Sequence, residues 1–136
     1  MPHFPPVLRT LGLALILAFQ PSLAQATTSA EALRLLRAGQ VHAALTAARS
    51  SLESSPEDVE AHELIIDILI NQGLALAAEG AYVQLVEDNP EAPWAWTLRG
   101  RAATTSEAAL EAYARALELN LRFALKNGAT RQDIVE

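Results

Sequence analysis

The sequence predicts an all-α fold assembled from helix–turn–helix repeats, and three observations carry that expectation. Gly39, Ala44, Leu52 and Pro56 are answered 34 positions later by Gly73, Ala78, Val86 and Pro90. The region after position 27 is rich in Ala, Leu, Glu and Arg, the residue types that form helices at least cost. Leu64, Ile65, Ile66, Ile68, Leu69 and Ile70 crowd one segment so closely that a helix there is apolar on most of its circumference. Such a helix is normally buried on more than one side, which suits the middle of a stack. A repeat unit of this kind cannot bury its apolar face alone, so neighbouring units must pack on one another.

Residues 1–26 read as a signal peptide ahead of the fold. Arg9 and the amino terminus supply positive charge, and Leu11 to Phe19 form a short apolar run. Ala24 and Ala26 give the small-x-small pattern of a cleavage site, with cleavage before Thr27 first and after Ala24 second. The apolar run is far shorter than the roughly 20 residues a spanning helix needs. Pro21 and the short run count against the alternative, an uncleaved anchor. Export to a bacterial periplasm or beyond is the expectation, with no stable membrane span once the segment is removed.

A domain over 27–126 follows, divided into units of about 25–56, 57–90 and 91–121. The first pair of helices spans about Ser29 to Ala38 and Gln40 to Leu52, turning at Gly39. Ser55, Pro56 and Asp58 then read as an N-cap, a Pro at the first helical position and an acid at the third. The second pair spans about Asp58 to Asn71 and Leu74 to Glu87, turning at Gln72-Gly73. The isoleucines of this unit also favour strands, but the repeat register and the flanking helix signals decide for helix. The third pair spans about Pro93 to Ala103 and Thr105 to Leu119 or beyond. Thr104 and Glu107 have capping-box spacing, and this connection is three residues shorter than the others. A tail of 127–136 closes the chain, with Asn127-Gly128 as a left-handed cap and Thr130 and Asp133 starting a last short turn.

Trp96 is followed four residues later by Gly100, Ala78 by Tyr82 and Ala109 by Tyr113, while Pro56 and Pro90 close their units. In these residues the chain resembles the tetratricopeptide repeat from Thr28 to Lys126. Ala48 stands where the first unit would carry an aromatic, and Leu121 where the third would carry its closing Pro. The resemblance implies a short right-handed solenoid of three units, acting as a protein–protein interaction module without catalysis. The small residues let backbones approach, and Tyr82, Tyr113 and Trp96 are expected to fill the core between units.

The resemblance also implies that the first helix of each unit lines a concave groove. That places Leu33, Leu36 and Arg37 there from the first unit, Glu60, Glu63, Asp67 and Asn71 from the second, and Trp94, Thr97 and Arg101 from the third. Independently, Glu60, Glu63 and Asp67 are spaced three and four apart and share one helix face. A solvated charge stripe explains such spacing by itself. An exposed Trp94 with flanking arginines makes it a candidate grip for an extended or helical peptide, since aromatics and Arg anchor interfaces. The Lys- and Asn-rich clamp that some members of the family use for acidic C-termini is not matched.

Other chemistry has little footing. With ten basic against sixteen acidic residues the net charge is −6, or −7 once Arg9 leaves with the signal segment, which argues against nucleic-acid binding. There is no cysteine, hence no disulfide and no thiol nucleophile. His62-Glu63 opens like a zinc motif, but Ile66 stands where the second His would be, so no metal or cofactor is expected. His42 and His62 read as surface or packing residues. The segment from Leu121 to Glu136 resembles part of the carboxymuconolactone decarboxylase and AhpD-like proteins over about sixteen residues, which implies a relative or fragment of such an enzyme as one alternative. The other is self-association into a homo-oligomer through the final helix, with Phe123 and Leu125 as the residues to watch.

Overall fold

Gly39 and Gly73 turn the chain with φ of 80° and 79°, a left-handed conformation that only glycine adopts cheaply. In the computed structural model, which describes residues 28–128, these turns join the first two of three helix pairs. The helices are α1 (Ser29–Arg37), α2 (Val41–Ser54), α3 (Val59–Asn71), α4 (Ala75–Asp88), α5 (Pro93–Arg101) and α6 (Ser106–Lys126). Among the described residues there is no strand. The expected signal peptide and the tail turn at Thr130 and Asp133 lie outside the described residues.

The 34-residue period governs the backbone as well as the sequence. α2 and α4 begin 34 residues apart, at Val41 and Ala75, and end 34 apart, at Ser54 and Asp88. α3 and α5 begin 34 apart, at Val59 and Pro93. The two glycine turns close with matching bonds. Gly39 N–H donates to Leu36 O and Gln40 N–H to Leu35 O, while Gly73 N–H donates to Ile70 O and Leu74 N–H to Leu69 O. These bonds satisfy carbonyls that a helix end leaves open.

The third pair departs from the period as expected. α5 has 9 residues where α3 has 13, and α6 starts at Ser106, ahead of the repeat register. α6 then runs for 21 residues and closes at Gly128, φ 87°.

Two caps differ from the sequence reading. α3 is capped by Asp58, whose side chain accepts from Ala61 N–H at 3.2 Å, and not by Ser55. Pro56 and Glu57 belong to the preceding turn, closed by Asp58 N–H on Ser55 O. α6 is capped by Thr105, which accepts from Ala108 N–H at 3.2 Å. Thr104 is drawn away instead, giving its backbone N–H and hydroxyl to Glu79 at 2.7 and 3.0 Å. In both cases a neighbouring polar side chain competes for the capping role, and sequence spacing does not rank such competitors.

Each helix packs on the next, and α1 also packs on α3 and α3 on α5. The first helices of the three pairs thus form one continuous layer. The core divides into two clusters that meet on α3. Ala32, Ala47, Ala48, Leu64 and Ile65 form one, and Ile66, Tyr82, Leu98 and Ala102 the other. Ala44 and Ala78, the repeated small residues of α2 and α4, are fully buried where a larger side chain would hold the helices apart. Ile66 and Leu98 are also fully buried, each contributing about 1.5–3 kcal/mol by burial. No helix among the described residues is long and apolar enough to cross a membrane.

Candidate functional site

The layer of α1, α3 and α5 presents a solvent-facing stripe along α3. Glu60 and Asn71 on it are exposed, and Glu63 and Asp67 are half-buried. Their three- and four-residue spacing gathers them on one side of α3, flanked by Leu64 and turned away from Ile65, both buried.

Polar contacts tie the flanking helices to this stripe. Ser29 of α1 donates its hydroxyl to Glu60 Oε2 at 3.1 Å. Arg101 of α5 donates Nη2 to both carboxylate oxygens of Asp67, at 3.0 and 3.2 Å. Asp67 and Arg101 are 34 residues apart, equivalent positions in consecutive units. Glu63, between them, makes no hydrogen bond or ion pair with the described residues. The centre of the face is therefore acidic, with one carboxylate free, one shared with a serine and one matched by arginine.

The outer candidates divide by burial. Arg37 and Thr97 are exposed, though Thr97 spends its hydroxyl on Pro93 O at 3.1 Å. Leu33 and Leu36 are half-buried and pack against the first core cluster. Trp94 is corrected: it does not stand free on the groove. It packs against the cluster of Ile66, Tyr82 and Leu98 and stacks on the His62 ring, with centroids 5.9 Å apart and planes 25° from parallel. Trp96, expected in the core, is half-buried and gives its indole N–H to Pro90 O at 2.9 Å. Tyr113 is likewise 43% exposed and lies across Gly100.

His62 is the residue whose importance the sequence understated. It is 7% exposed, and both ring nitrogens are engaged. Nε2 lies 2.8 Å from Pro56 O, and because a carbonyl can only accept, Nε2 carries a proton. Nδ1 lies 3.0 Å from the Tyr82 hydroxyl, which is also 3.2 Å from His62 O. Burial pushes the Tyr82 hydroxyl well above its ordinary value, so it stays protonated. The pair is a closed internal network with no nitrogen left for a ligand. The available signal was positional, since His62 lies 34 residues before Trp96.

Beside this pair, α2, α3 and α4 enclose a shallow cleft of about 310 Å³. Leu52, Ile65, Leu69 and Leu85 form its apolar walls, with Arg49 at one edge. Among the described residues no group of three or more His, Asp or Glu is placed to hold a metal ion. In comparisons with known proteins, no family model matches the chain and no curated protein matches it.

Proposed function

We propose that the protein is a non-catalytic interaction module, a short right-handed solenoid of tetratricopeptide-like units, which binds a peptide or partner segment along the α1/α3/α5 face. The observation that carries this reading is the continuous layer of first helices, with its acidic stripe of Glu60, Glu63 and Asp67 held at fixed spacing between Ser29 and Arg101. The 34-residue recurrence of helix boundaries and glycine turns supports the repeat assignment. A bound segment would place a basic side chain against Glu60 and Glu63 and apolar side chains against the half-buried Leu33 and Leu36. Charge would orient it and apolar contact would supply most of the affinity. The small residues before Thr27 support export, so the partner would be met in a periplasm or outside the cell.

In-cell photocrosslinking tests this reading, with a probe replacing Asn71 on the α3 stripe and a control probe replacing Gln84 on α4, both exposed. A discrete adduct from position 71 alone, weakened by Glu60→Lys with Glu63→Lys, is the expected result. Adducts equal from both probes, or unchanged by the charge reversals, would overturn it.

A further inference from the structure

The cleft enclosed by α2, α3 and α4 lies on the side of α3 opposite the acidic stripe. His62, Ile65 and Leu69 line it at three- and four-residue spacing, nearly half a turn of the helix from Glu60, Glu63 and Asp67. Leu52 of α2 and Ala81 and Leu85 of α4 complete an apolar wall around about 310 Å³. That is the small end of the range, about 300–1,000 Å³, in which small molecules are held. The polar side chains on the lining are Arg49, His62 and Tyr82. His62 and Tyr82 are closed on each other, on Pro56 O and on His62 O. Arg49 makes no hydrogen bond or ion pair among the described residues, although Glu53 stands four residues further along α2. By contrast, Arg34, Arg99, Arg101, Arg115 and Arg122 each face a carboxylate. The combination belongs to this place and not to the repeat, since the residues 34 positions after Arg49, Ile65 and Leu69 are Val83, Arg99 and Ala103.

We propose that this cleft binds a short aliphatic carboxylate, with its hydrocarbon chain against Leu52, Ile65, Leu69 and Leu85 and its head on the Arg49 guanidinium. Three features of the lining select that chemistry. The walls are aliphatic, so a hydrocarbon body gains by leaving water there. The one lining side chain without a partner is a single cation, and a guanidinium fork meets a carboxylate through two parallel hydrogen bonds. One negative charge matches it, whereas a doubly charged phosphate head would leave charge uncompensated in a chain of net charge −6. Finally, the cleft holds no polar side chain free to bond apart from Arg49. A peptide backbone lying in it would bury unpaired N–H and C=O groups, a cost that a hydrocarbon chain avoids. Arg49 is exposed at the edge, where its stem covers apolar surface while its head stays in water until an anion arrives. The site is separate from the α1/α3/α5 face and stands or falls independently of what that face binds.

Octanoate is the probe, titrated into the isotope-labelled full chain and followed by amide NMR. Saturable shifts are expected at Leu52, Ile65, Leu69 and Leu85, and none at Leu110 and Leu117, exposed leucines on α6. Arg49→Gln keeps the apolar walls and is expected to weaken binding by about tenfold or more, through loss of the charge-assisted hydrogen bonds. Octanol, the same chain without the charge, is expected to bind the unmodified protein as weakly as octanoate binds Arg49→Gln. Ala81→Phe, at an exposed position on the lining, is expected to fill the cleft and abolish the shifts. Circular dichroism on both variants separates lost binding from lost folding, and Arg49, being exposed, can be replaced without touching the core. No saturable shift with octanoate, equal shifts at Leu110 and Leu117, or unchanged affinity in Arg49→Gln would each overturn the proposal. So would tighter binding of a leucine-terminated peptide than of octanoate.

Discussion

His62 and Trp96 occupy equivalent positions 34 residues apart, and each gives a ring N–H to the carbonyl of the proline six residues before it, His62 to Pro56 at 2.8 Å and Trp96 to Pro90 at 2.9 Å. Two chemically different rings thus make one structural device. It pins the turn that closes one unit to the first helix of the next, and satisfies a carbonyl outside the helical ladder. The two sites differ in what surrounds the ring. His62 is buried between Tyr82 and Trp94, whereas Trp96 is half-buried. His62→Phe removes both ring contacts, the bond to Pro56 O and the one to the Tyr82 hydroxyl, which keeps only the backbone carbonyl of residue 62, so a loss of about 2 kcal/mol is expected. Trp96→Phe removes only the Pro90 bond and some partly buried ring, at about 0.5–1.5 kcal/mol. Urea midpoints of the two variants check the ranking. An equal or reversed order would mean that burial around His62 adds nothing to the shared bond.

Much of this architecture was legible because it is periodic. Gly39 and Gly73 announced both turns, and the spacing of Glu60, Glu63 and Asp67 announced the exposed side of α3. Both tryptophans are half-buried, Trp94 stacked on His62 and Trp96 bonded to Pro90, and the reason neither is placed by sequence lies in α5. Its sequence, Pro93-Trp-Ala-Trp-Thr-Leu-Arg-Gly-Arg101, has no helical period of apolar residues, so nothing local says which ring turns inward. Tertiary context decides, through the space beside His62 that Trp94 fills. The role of His62 was hidden for a related cause. Its partners are a carbonyl six residues away and a hydroxyl 20 away, and neither has a sequence signature.

Tyr82 predicts an alkaline limit to stability. Its hydroxyl has an ordinary value of 10.0, and burial raises it in the folded protein. A raised folded value means that the stabilisation is complete below pH 10 and is lost as pH rises beyond it, where the unfolded chain ionises first. Tyr82→Phe loses the bonds to His62, at about 1–2 kcal/mol near neutrality. The stability gap between the two proteins should hold steady up to about pH 10 and shrink above it. Paired denaturation curves between pH 7 and 11 read this directly, and a gap that widened with pH would contradict it.

Glu79 predicts the acid side. The Thr104 backbone N–H holds its carboxyl below the usual value of 4.5, with smaller help from the Thr104 hydroxyl and from Arg99. Arg99 Nη1 lies 3.6 Å from Glu79 Oε2 and has no hydrogen-bond partner, so Glu79 is its local counter-charge. A lowered folded value means that the stabilisation is present above about pH 4.5 and is lost as pH falls. Glu79→Gln should therefore lower the Tm at pH 7, with the two melting curves converging as pH falls below 4.5. A Tm difference independent of pH would assign the effect of Glu79 to packing.

Gly100 and Tyr113 give a prediction that turns on sign. A Cβ added at Gly100 would sit 2.7 Å from Tyr113 Cε1 and 2.8 Å from two further ring carbons, closer than packed atoms approach. Gly100 is also helical, so Ala there should gain about 1 kcal/mol of helix propensity. The two effects oppose each other, and overpacking typically costs about 1–3 kcal/mol. Tyr113 is 43% exposed, so its ring can give by moving outward, but contacts of 2.7–2.8 Å require a real shift, which sets the cost near the middle of that range, about 2 kcal/mol, and brings Gly100→Ala out mildly destabilising. In a Tyr113→Ala background the obstacle is gone and only the propensity gain remains. There Gly100→Ala should stabilise the protein by up to about 1 kcal/mol. A double-mutant cycle on urea midpoints measures the coupling. The same sign in both backgrounds would show that the ring does not rest on Gly100 in solution.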